Sequence, residues 1–350
     1  MTTRTAARPL APSLPCDAMT PPPVAAPGAA TAVAPDVLAA IEAHRVELTA
    51  HCYRMLGSGF EAEDAVQETM VRAWRSVDRF EGRSALRSWL YRIATNVCLD
   101  MLRGPQRRAR PMDLGPAGTS ETLIGAGVPE HAWVQPVADA RVVPADGDPA
   151  EQAVARDSVR LAFVAALQHL PPRQRAVMLL REVLRWQASE VAELLDTTVA
   201  SVNSALQRAR ATMAATDADA TRSDPVDDEQ RALLARYVEA FERYDVGALV
   251  SLLREDAVQS MPPFELWLQG AADIGRWFTG QGAGCRGARM LPTAANGRPA
   301  FAVYRVSGPD TWDPFSIQIV DVSDGLITGL HSFLYPELFP AFGLPARLER

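Results

Sequence analysis

One row of side chains in the first third of the chain combines residue types that contact nucleic acids. Trp89, Arg92, Asn96 and Arg103 recur at spacings of three, four and seven residues, which places them on one side of a helix. Arginine pairs with phosphate or guanine, asparagine pairs with adenine, and tryptophan stacks on an unpaired base. The alternative is that Trp89 packs in the core and the arginines are only solvated. The combination on one side favours a nucleic-acid surface.

The charge around this row supports the same interpretation. Residues 69–110 contain ten arginines against three acidic residues, a local net charge of +7 in a chain whose formal net charge is −7. A reversal of this size is typical of a phosphate-binding surface. The preceding residues 61–68 carry four acidic side chains, which alone indicate only a solvated face. Apolar residues at helical spacing predict that this helix also has an apolar face; they are Val66, Met70, Ala73 and Trp74.

A second polar row lies near residue 205 and consists of Ser201, Asn203, Ser204, Gln207, Arg208 and Arg210. Such side chains suit base edges and phosphates. We predict that a short helix capped at Ser189, a tight connection over Asp196–Thr198 and a helix from Val199 to Met213 present this row, as in a helix-turn-helix. The motif alone is only moderately specific, because helical hairpins in bundles mimic it and repressors use the same unit.

The C-terminal third contains residues able to line a ligand pocket. The candidates are Met261, Phe264, Trp267, Arg289 and His331, with Trp277 and Tyr304 as further members. Isomerase-type chemistry requires a buried carboxylate base opposed to an oxyanion donor, and the sequence shows no clear pair of this kind. Asp256 and Asp273 are expected at helix ends or on the surface. His331 is expected to be a satisfied core histidine, so we predict no catalytic residues.

Cysteine spacing and hydropathy exclude several other classes of protein. The four cysteines show no CxxC or CxxH spacing, so we predict neither a metal site nor a disulfide framework, and no cofactor. No apolar run approaches the ~18 residues that span a membrane. The N-terminal arginines are not followed by the apolar segment of a secretory signal. These features predict a cytoplasmic protein that does not contact membranes.

Composition and periodicity divide the chain into six segments. We predict a disordered Ala/Pro-rich tail at 1–35, a helical block at 36–110, a Pro/Gly-rich linker at 111–150, a second helical block at 151–216, a second linker at 217–228 and an α+β domain at 229–350. In the last segment we predict helices over Gln230–Arg254 and Ala271–Phe278. The predicted strands are Ala288–Pro292, Ala300–Val306, Ser316–Val322 and Leu326–Leu334, with a hairpin turn at Ser323–Gly325.

The two helical blocks resemble a known family. Asp64–Trp74, Phe80 and Leu86–Asp100 resemble region 2 of the extracytoplasmic-function sigma factors of bacterial RNA polymerase. Leu170–Arg175, Ser189–Ala192 and Ala205–Arg210 resemble region 4 of the same family. The resemblance implies that region 2 docks on the clamp coiled coil of the polymerase β′ subunit and melts the −10 promoter element. It also implies that region 4 recognises the −35 element and contacts the β flap.

The resemblance assigns roles to individual residues. It implies that Asp64, Gln67, Glu68 and Arg72 face core RNA polymerase. It implies that promoter DNA is faced by Trp89, Arg92, Asn96, Arg103, Ser201, Asn203, Ser204, Gln207, Arg208 and Arg210. Many members place a basic residue around Asn203 and Ala205, and this chain does not. That departure weakens the expected phosphate affinity and leaves the −35 preference open.

Residues 229–350, and Asn296–Arg305 in particular, resemble the SnoaL-like cone domain that extends some sigma factors at the C-terminus. The expected architecture is therefore multidomain: two all-α sigma domains, a region 2 bundle and a region 4 helix-turn-helix, then an α+β SnoaL-like cone domain. We expect the cone domain to regulate the sigma domains by contact or through a small-molecule ligand, with an anti-sigma factor as a further candidate partner.

Two other classes of function compete with this interpretation. A cone-fold enzyme fused to a DNA-binding regulator is one, and a helix-turn-helix repressor that never contacts polymerase is the other. The missing acid/base pair counts against the enzyme. The acidic Asp64–Glu68 helix counts against the repressor, which has no use for a polymerase-docking surface.

Overall fold

A computed structural model describes residues 35–77, 80, 85–104, 108–146, 148–216 and 227–350. The predicted N-terminal tail and the predicted second linker therefore lie almost entirely outside the described residues. Within those residues, no helix is both long enough and apolar enough to cross a bilayer.

The described residues of the first block form α1 Pro35–Glu42, α2 Arg45–Leu56, α3 Gly59–Ser76 and α4 Leu86–Met101. Helix α2 ends at Gly57, whose φ of 74° is the left-handed conformation that favours glycine. Ser58 then caps α3 by accepting a hydrogen bond from the Glu61 amide at 3.3 Å. The predicted apolar face of α3 is only partly correct, because Val66 and Ala73 are buried whereas Trp74 is 54% exposed.

The segment predicted as a linker contacts the C-terminal segment at several points, although residues 121–127 are exposed. It contains α5 Pro111–Leu114, a 3-10 turn over Glu130–Ala132 and α6 Asp139–Val142. Proline and glycine prevent long regular elements here, but the C-terminal segment accepts hydrogen bonds from this backbone: the Gly118 amide donates to the Trp267 carbonyl of a strand and the Val128 amide to the Pro263 carbonyl of a turn, each at 2.8 Å. Trp133 is fully buried. The segment therefore fastens the helical blocks to the C-terminal sheet.

The second block continues with α7 Pro149–Ser158, α8 Leu161–Gln168, α9 Pro172–Met178, a π turn over Leu179–Val183, α10 Ala188–Leu194 and α11 Val199–Ala215. The predicted cap at Ser189 is wrong. Helix α10 begins one residue earlier, and the Gln187 amide donates to the Glu190 carboxylate at 2.6 Å. Thr198 caps α11 by accepting from the Ser201 amide at 3.1 Å.

The two helical blocks share one apolar core. Residues from both blocks belong to a single buried cluster, among them Leu48, Val66, Leu90, Leu179 and Val202. Tyr91 of α4 packs edge-to-face against Trp186, which precedes α10, with ring centroids 5.8 Å apart. The helix-turn-helix is therefore docked on the first block.

The C-terminal segment contains α12 Asp228–Glu242, α13 Val246–Ser251 and α14 Ala271–Thr279, with 3-10 turns at Gln281–Cys285 and Pro336–Phe342. Its strands are β1 Leu253–Ser260, β2 Trp267–Gln269, β3 Arg289–Ala295, β4 Arg298–Gly308, β5 Thr311–Ser323, β6 Leu326–Phe333 and β7 Leu348–Glu349. The strand order is β2-β1-β6-β5-β4-β3, with β7 beside β5. Among these seven described strands, β1 and β6 pair in parallel and the other pairs are antiparallel.

The predicted helix over Gln230–Arg254 occurs as two helices, α12 and α13, and it does not extend beyond Ser251. Helix α12 ends because Tyr244 has φ 55°, and Asp245 then caps the short α13 by accepting from the Ala248 amide at 3.0 Å. Strand β1, which begins at Leu253, escaped prediction because the apolar spacing of α12 continues through Leu249. The four predicted strands all occur, with ends that differ from the predicted ones by at most five residues.

Both faces of the sheet are buried, each against a different partner. On one face, Val303, Val320 and Leu330 pack with α12 and α14. On the outer face, Ile319 and Phe333 pack with Trp133 of the connecting segment and with Phe339 of the C-terminal 3-10 turn. The outer face therefore meets the rest of the chain.

Candidate nucleic-acid interface

Helix α3 presents an exposed row that mixes apolar and acidic side chains. Asp64 and Gln67 are exposed on it, as the sequence predicted. Three apolar residues at spacings of three, four or seven from these lie on the same side and are also exposed: Phe60 at 38%, Val71 at 38% and Trp74 at 54%. Phe60 and Val71 were not predicted on this surface, and Trp74 was predicted on the apolar face of the helix, although the spacing of all three was available. An apolar row rimmed by carboxylates is a surface suited to docking another protein.

The other two predicted polymerase-facing residues lie beside this row. Arg72 Nε donates to Glu68 Oε1 at 2.6 Å on the same helix. Arg72 Nη1 also lies 3.5 Å from Asp100 Oδ2 of α4. Arg72 therefore links the acidic helix to the helix that carries the predicted DNA-facing row.

The row on α4 is partly occupied within the chain. The Trp89 ring is half-buried and lies 5.0 Å from the Phe80 ring, measured between centroids. Arg92 Nη2 donates to Glu193 Oε1 of α10 at 2.7 Å. Asn96 is exposed, and Arg103 bonds to Asp100 at 2.7 Å while remaining exposed. The α4 row thus faces the helix-turn-helix at Arg92 and solvent at its C-terminal end.

The row on α11 is fully presented to solvent. Ser201, Asn203, Ser204, Gln207, Arg208 and Arg210 are all exposed. The buried positions of the same helix are Val202, Leu206 and Ala209, and they pack in the shared core. Arg210 Nη2 donates to Glu182 Oε1 of the π turn at 2.6 Å. Arg208 is also exposed and lies near the middle of α11.

Two buried arginines join the first block to the second. Arg54 of α2 donates to Ser158 Oγ at 2.8 Å, and burial lowers the pKa of its guanidinium. Arg175 of α9 donates to the Met55 carbonyl and, at 2.6 Å, to Gln168 Oε1. Burial lowers the pKa of Arg175 to about 10. Both guanidinium groups lie in water-excluded contact between the blocks and bond to neutral acceptors, so separating the blocks would rehydrate them.

The turn between β3 and β4 inserts a single asparagine among the connecting segment and both helical blocks. The Asn296 amide nitrogen donates to the Tyr53 hydroxyl of α2 at 2.6 Å and to the Val159 carbonyl, which follows α7, at 2.8 Å. Its side-chain oxygen accepts from the Val137 amide at 3.1 Å. Asn296 is fully buried. We call Asn296 and its partners Tyr53, Val137 and Val159 the Asn296 junction.

Backbone conformation fits this turn to its position. Asn296 has φ 56° and Gly297 has φ 71°, both in the left-handed region. A Cβ on Gly297 would lie 2.6 Å from the Arg156 carbonyl oxygen, so only glycine allows the turn to approach α7 this closely. The Gly297 amide donates to Asp139 Oδ1 of α6 at 2.8 Å. The Asn296-Gly297 pair therefore forms the hairpin turn and also allows this turn to contact α6 and α7.

The five residues predicted to line one ligand pocket are not brought together. Met261 lines a cavity of about 50 Å³ inside the cone, whereas His331 lies on the outer face of the sheet. Trp267 donates from its indole nitrogen to the Gly115 carbonyl at 2.9 Å. Arg289 stacks on Trp312, and Phe264 is half-buried. The sheet lies between Met261 and His331, so these five side chains do not line one pocket.

The two further pocket candidates, Trp277 and Tyr304, are also separated by the sheet. Trp277 lines the cavity inside the cone, and Tyr304 lies on the other face of the sheet, where its hydroxyl donates to the Pro345 carbonyl at 2.8 Å. Asp256 is exposed on β1, and Asp273 is in the first turn of α14. Both ring nitrogens of His331 have partners, Ser260 Oγ at 2.8 Å and Asp321 Oδ2 at 3.1 Å. The side chains lining the interior cavity include no carboxylic acid among the described residues.

Comparisons with known proteins assign each block to a family. Residues 40–108 match the model of sigma-70 region 2, residues 160–213 match sigma-70 region 4, and residues 234–329 match the SnoaL-like domain. The chain is 45% identical over 319 residues to the ECF RNA polymerase sigma factor SigG of Mycobacterium tuberculosis, a match that covers 89% of this chain and 85% of that protein. It is 28% identical over 318 residues to SigJ of the same organism, covering 87% of this chain and 94% of SigJ.

The fold is shared with a solved structure. The crystal structure of the extracytoplasmic-function sigma factor SigJ of Mycobacterium tuberculosis matches this chain with a TM-score of 0.56 and 23% identity, over 88% of this chain and 100% of that one. The predicted fold class, two sigma-type helical regions followed by an α+β SnoaL-like domain, is confirmed.

Proposed function

Because the chain belongs to the extracytoplasmic-function sigma factors of RNA polymerase, we propose that its C-terminal domain holds the two promoter-reading blocks together until polymerase separates them. The family assignment carries the coarser role, which is promoter-directed transcription with core RNA polymerase. The observation that carries the finer proposal is the Asn296 junction, which ties the C-terminal domain to both helical blocks.

The distance between the two promoter elements supports the proposal that the two blocks separate before they bind promoter DNA. Elements near −10 and −35 lie roughly 25 base pairs apart, about 85 Å along B-form DNA at about 3.4 Å per pair. In the present arrangement, Arg92 of the α4 row bonds directly to Glu193 of the helix-turn-helix. One rigid arrangement therefore does not reach both elements. We propose that region 2 reads and melts the −10 element and region 4 reads the −35 element only after this contact breaks.

We propose that the exposed row of α3 is the surface that docks on the β′ clamp. Asp64, Gln67 and Trp74 are exposed in the closed arrangement, so this surface does not require the blocks to separate first. Region 4 is proposed to contact the β flap. Polymerase can then bind region 2 while the blocks are closed, and the energy of the second contact opens them.

We propose no catalytic role for the C-terminal domain. The relatives are sigma factors, and the interior cavity of about 50 Å³ is far below the roughly 300 Å³ of a small-molecule site. The Asn296 junction can hold the blocks together without a separate anti-sigma factor. It is also compatible with such a partner.

The test measures the distance between the blocks in the full chain. Fluorophores are placed at Arg75 of α3 and at Thr197 of the helix-turn-helix, both exposed. We expect a short distance in the free protein and an increase of tens of Å in an initiating complex with core polymerase and promoter DNA. Fluorophores at Arg75 and Glu42, within one block, serve as the control. An unchanged distance between the blocks in a complex that initiates transcription would refute the proposal.

A further inference from the structure

The middle of the C-terminal domain reverses the charge of the chain. Residues 274–309 contain five arginines and no acidic residue, whereas the whole chain has a formal net charge of −7. Arg276 and Arg298 of this stretch pair with carboxylates that lie outside it. The other three arginines are Arg286, Arg289 and Arg305. A local reversal of this kind is typical of a surface that binds a polyanion.

Each of these three guanidinium groups lies on an aromatic ring. Stacking on a ring positions a guanidinium group but uses none of its N–H donors, which remain able to bind oxygen anions. The distances from the guanidinium carbon to the ring centroid are 5.0 Å for Arg286 on Tyr244, 5.3 Å for Arg289 on Trp312 and 4.5 Å for Arg305 on Phe315. We call these three arginines and their three rings the arginine–aromatic patch.

The short segment of residues 284–289 brings the three stacked pairs together. Two of the arginines belong to this segment. Its Gly284 carbonyl accepts a hydrogen bond from Arg305 Nε at 2.8 Å. Its Gly287 carbonyl accepts a hydrogen bond from the indole nitrogen of Trp312, also at 2.8 Å. The patch is therefore one continuous surface, formed by this segment and by the adjoining strands β4 and β5.

The positive charge of the patch is only partly neutralised within the chain. Arg289 Nη1 lies 3.2 Å from Glu242 Oε2. Asp313 is opposite Arg305 on the neighbouring strand, but it bonds to Arg347 at 2.7 Å. Among the described residues, no carboxylate oxygen lies within 4.0 Å of the guanidinium nitrogens of the other two patch arginines. The patch therefore presents two guanidinium groups that form no salt bridge in the described part of the chain.

These two guanidinium groups lie on either side of one rigidly held ring. The Tyr244 hydroxyl is 2.8 Å from the carbonyl oxygens of Phe278 and Gly282, which fixes the ring. Burial raises the pKa of this hydroxyl to about 12, and the nearby charges of Arg286 and Arg305 oppose the rise. Both charges therefore act on the same ring. A chain of phosphates is a partner that can bind both guanidinium groups at once.

We propose that the arginine–aromatic patch binds the phosphate backbone of promoter DNA. The chain belongs to a family that directs RNA polymerase to promoters, so promoter DNA is the polyanion that this surface meets. Guanidinium groups cover the three rings, so the contact is to phosphates and not to stacked bases. A contact to phosphates increases affinity without adding a sequence preference.

This inference does not depend on the proposed separation of the blocks. Every residue of the patch belongs to the C-terminal domain. The patch lies where β3 begins, whereas the turn that carries Asn296 lies where β3 ends. The same surface is therefore available in the closed and in the separated arrangement, and the C-terminal domain adds a DNA contact to those of the two helical blocks.

The first experiment measures promoter binding by the full chain in complex with core polymerase, between 50 and 200 mM salt. The double variant Arg286→Gln/Arg305→Gln should reduce the slope of log affinity against log salt by about 1.8, for two lost phosphate contacts at about 0.9 each. The four-fold rise in salt should then weaken wild type about 12-fold more than the variant. Arg286→Lys/Arg305→Lys keeps both charges and should stay near wild type. The matched control is Arg231→Gln/Arg236→Gln, which removes two exposed arginines of α12.

The second experiment identifies the partner by crosslinking in the same complex. A photoreactive amino acid replaces Val306, which is 54% exposed and paired with Trp312 of the patch. We expect a crosslink to labelled promoter DNA, and none from the same group at Ala232, an exposed position of α12.

Three results would overturn the proposal. The first is an unchanged slope for the double glutamine variant, or an equal change for the control. The second is a crosslink from position 306 to polymerase alone. The third is a loss of affinity of the double glutamine variant for core polymerase without DNA, which would assign the patch to a protein partner. None of these results bears on the closed arrangement, which is tested by the distance between fluorophores in the two blocks.

Discussion

The Asn296 junction allows a quantitative test of the closed arrangement. Asn296→Gly preserves the left-handed φ of 56° and removes three side-chain hydrogen bonds, those to Tyr53, Val159 and Val137. A buried hydrogen bond contributes a net of about 1 kcal/mol, and a buried group left without a partner costs about 1–3 kcal/mol. The Val159 carbonyl and the Val137 amide would be left without the side chain, so the change destabilises the closed arrangement by roughly 3–6 kcal/mol.

That loss acts between blocks, because the three partners belong to α2, to the connecting segment and to the residue that follows α7. At about 1.4 kcal/mol per factor of ten, the closed-to-open ratio falls by roughly 100-fold or more. Asn296→Asp should act more strongly, since it places a carboxylate against the Val159 carbonyl in a buried site. Both variants should show a longer distance between fluorophores at Arg75 and Thr197, and higher transcript yield at limiting polymerase.

A matched control exists in the next hairpin turn. Asp324 has φ 53° and precedes Gly325, as Asn296 precedes Gly297, but it is exposed, and its side chain bonds to Ser323 of the same turn. Asp324→Gly should leave distance and transcription at wild-type values. If Asn296→Asp and Asn296→Gly were folded and also matched wild type in both measurements, the junction would not hold the blocks together and the argument would be refuted.

Three further predictions concern the individual surfaces. Trp74→Ala should weaken binding to core polymerase at least ten-fold in a titration while leaving thermal unfolding of the free chain nearly unchanged, because the side chain is 54% exposed; a normal polymerase affinity would exclude this face of α3 from the interface. Arg208→Ala should reduce the slope of log affinity against log salt for promoter DNA by about 0.9, the value for one lost phosphate contact, whereas Arg173→Ala should not; an unchanged slope for Arg208→Ala would remove it from the phosphate contacts. The pKa of Asp321 is lowered in the folded chain, so its stabilising contribution is present above its ordinary pKa of about 3.9 and is lost as the pH falls below that value. In chemical denaturation, the free energy of unfolding of Asp321→Asn should therefore fall less between pH 5 and pH 2 than that of wild type. An equal fall would contradict the stabilising role of Asp321.

The sequence by itself determined the local elements and the sign of their surfaces. Helix α11 follows from the periodicity of Val202, Leu206 and Ala209, and its polar row is exposed as that periodicity requires. The charge reversal after residue 68 and the Asn-Gly turn at residue 296 are likewise evident from the amino-acid sequence alone. These features depend on neighbours within a few residues, where helical and strand geometry fix which side chains share a face.

Only the tertiary structure decided what those surfaces meet. Periodicity placed Trp74 on an apolar face, yet its side chain is 54% exposed, and composition indicated a linker where Trp133 is fully buried. Met261 and His331 were grouped in one pocket although the sheet separates them. Arg92 meets Glu193 across 101 positions, and Asn296 meets Tyr53 across 243. Such contacts are set by how whole blocks dock, which depends on the summed fit of many distant side chains and not on any local pattern.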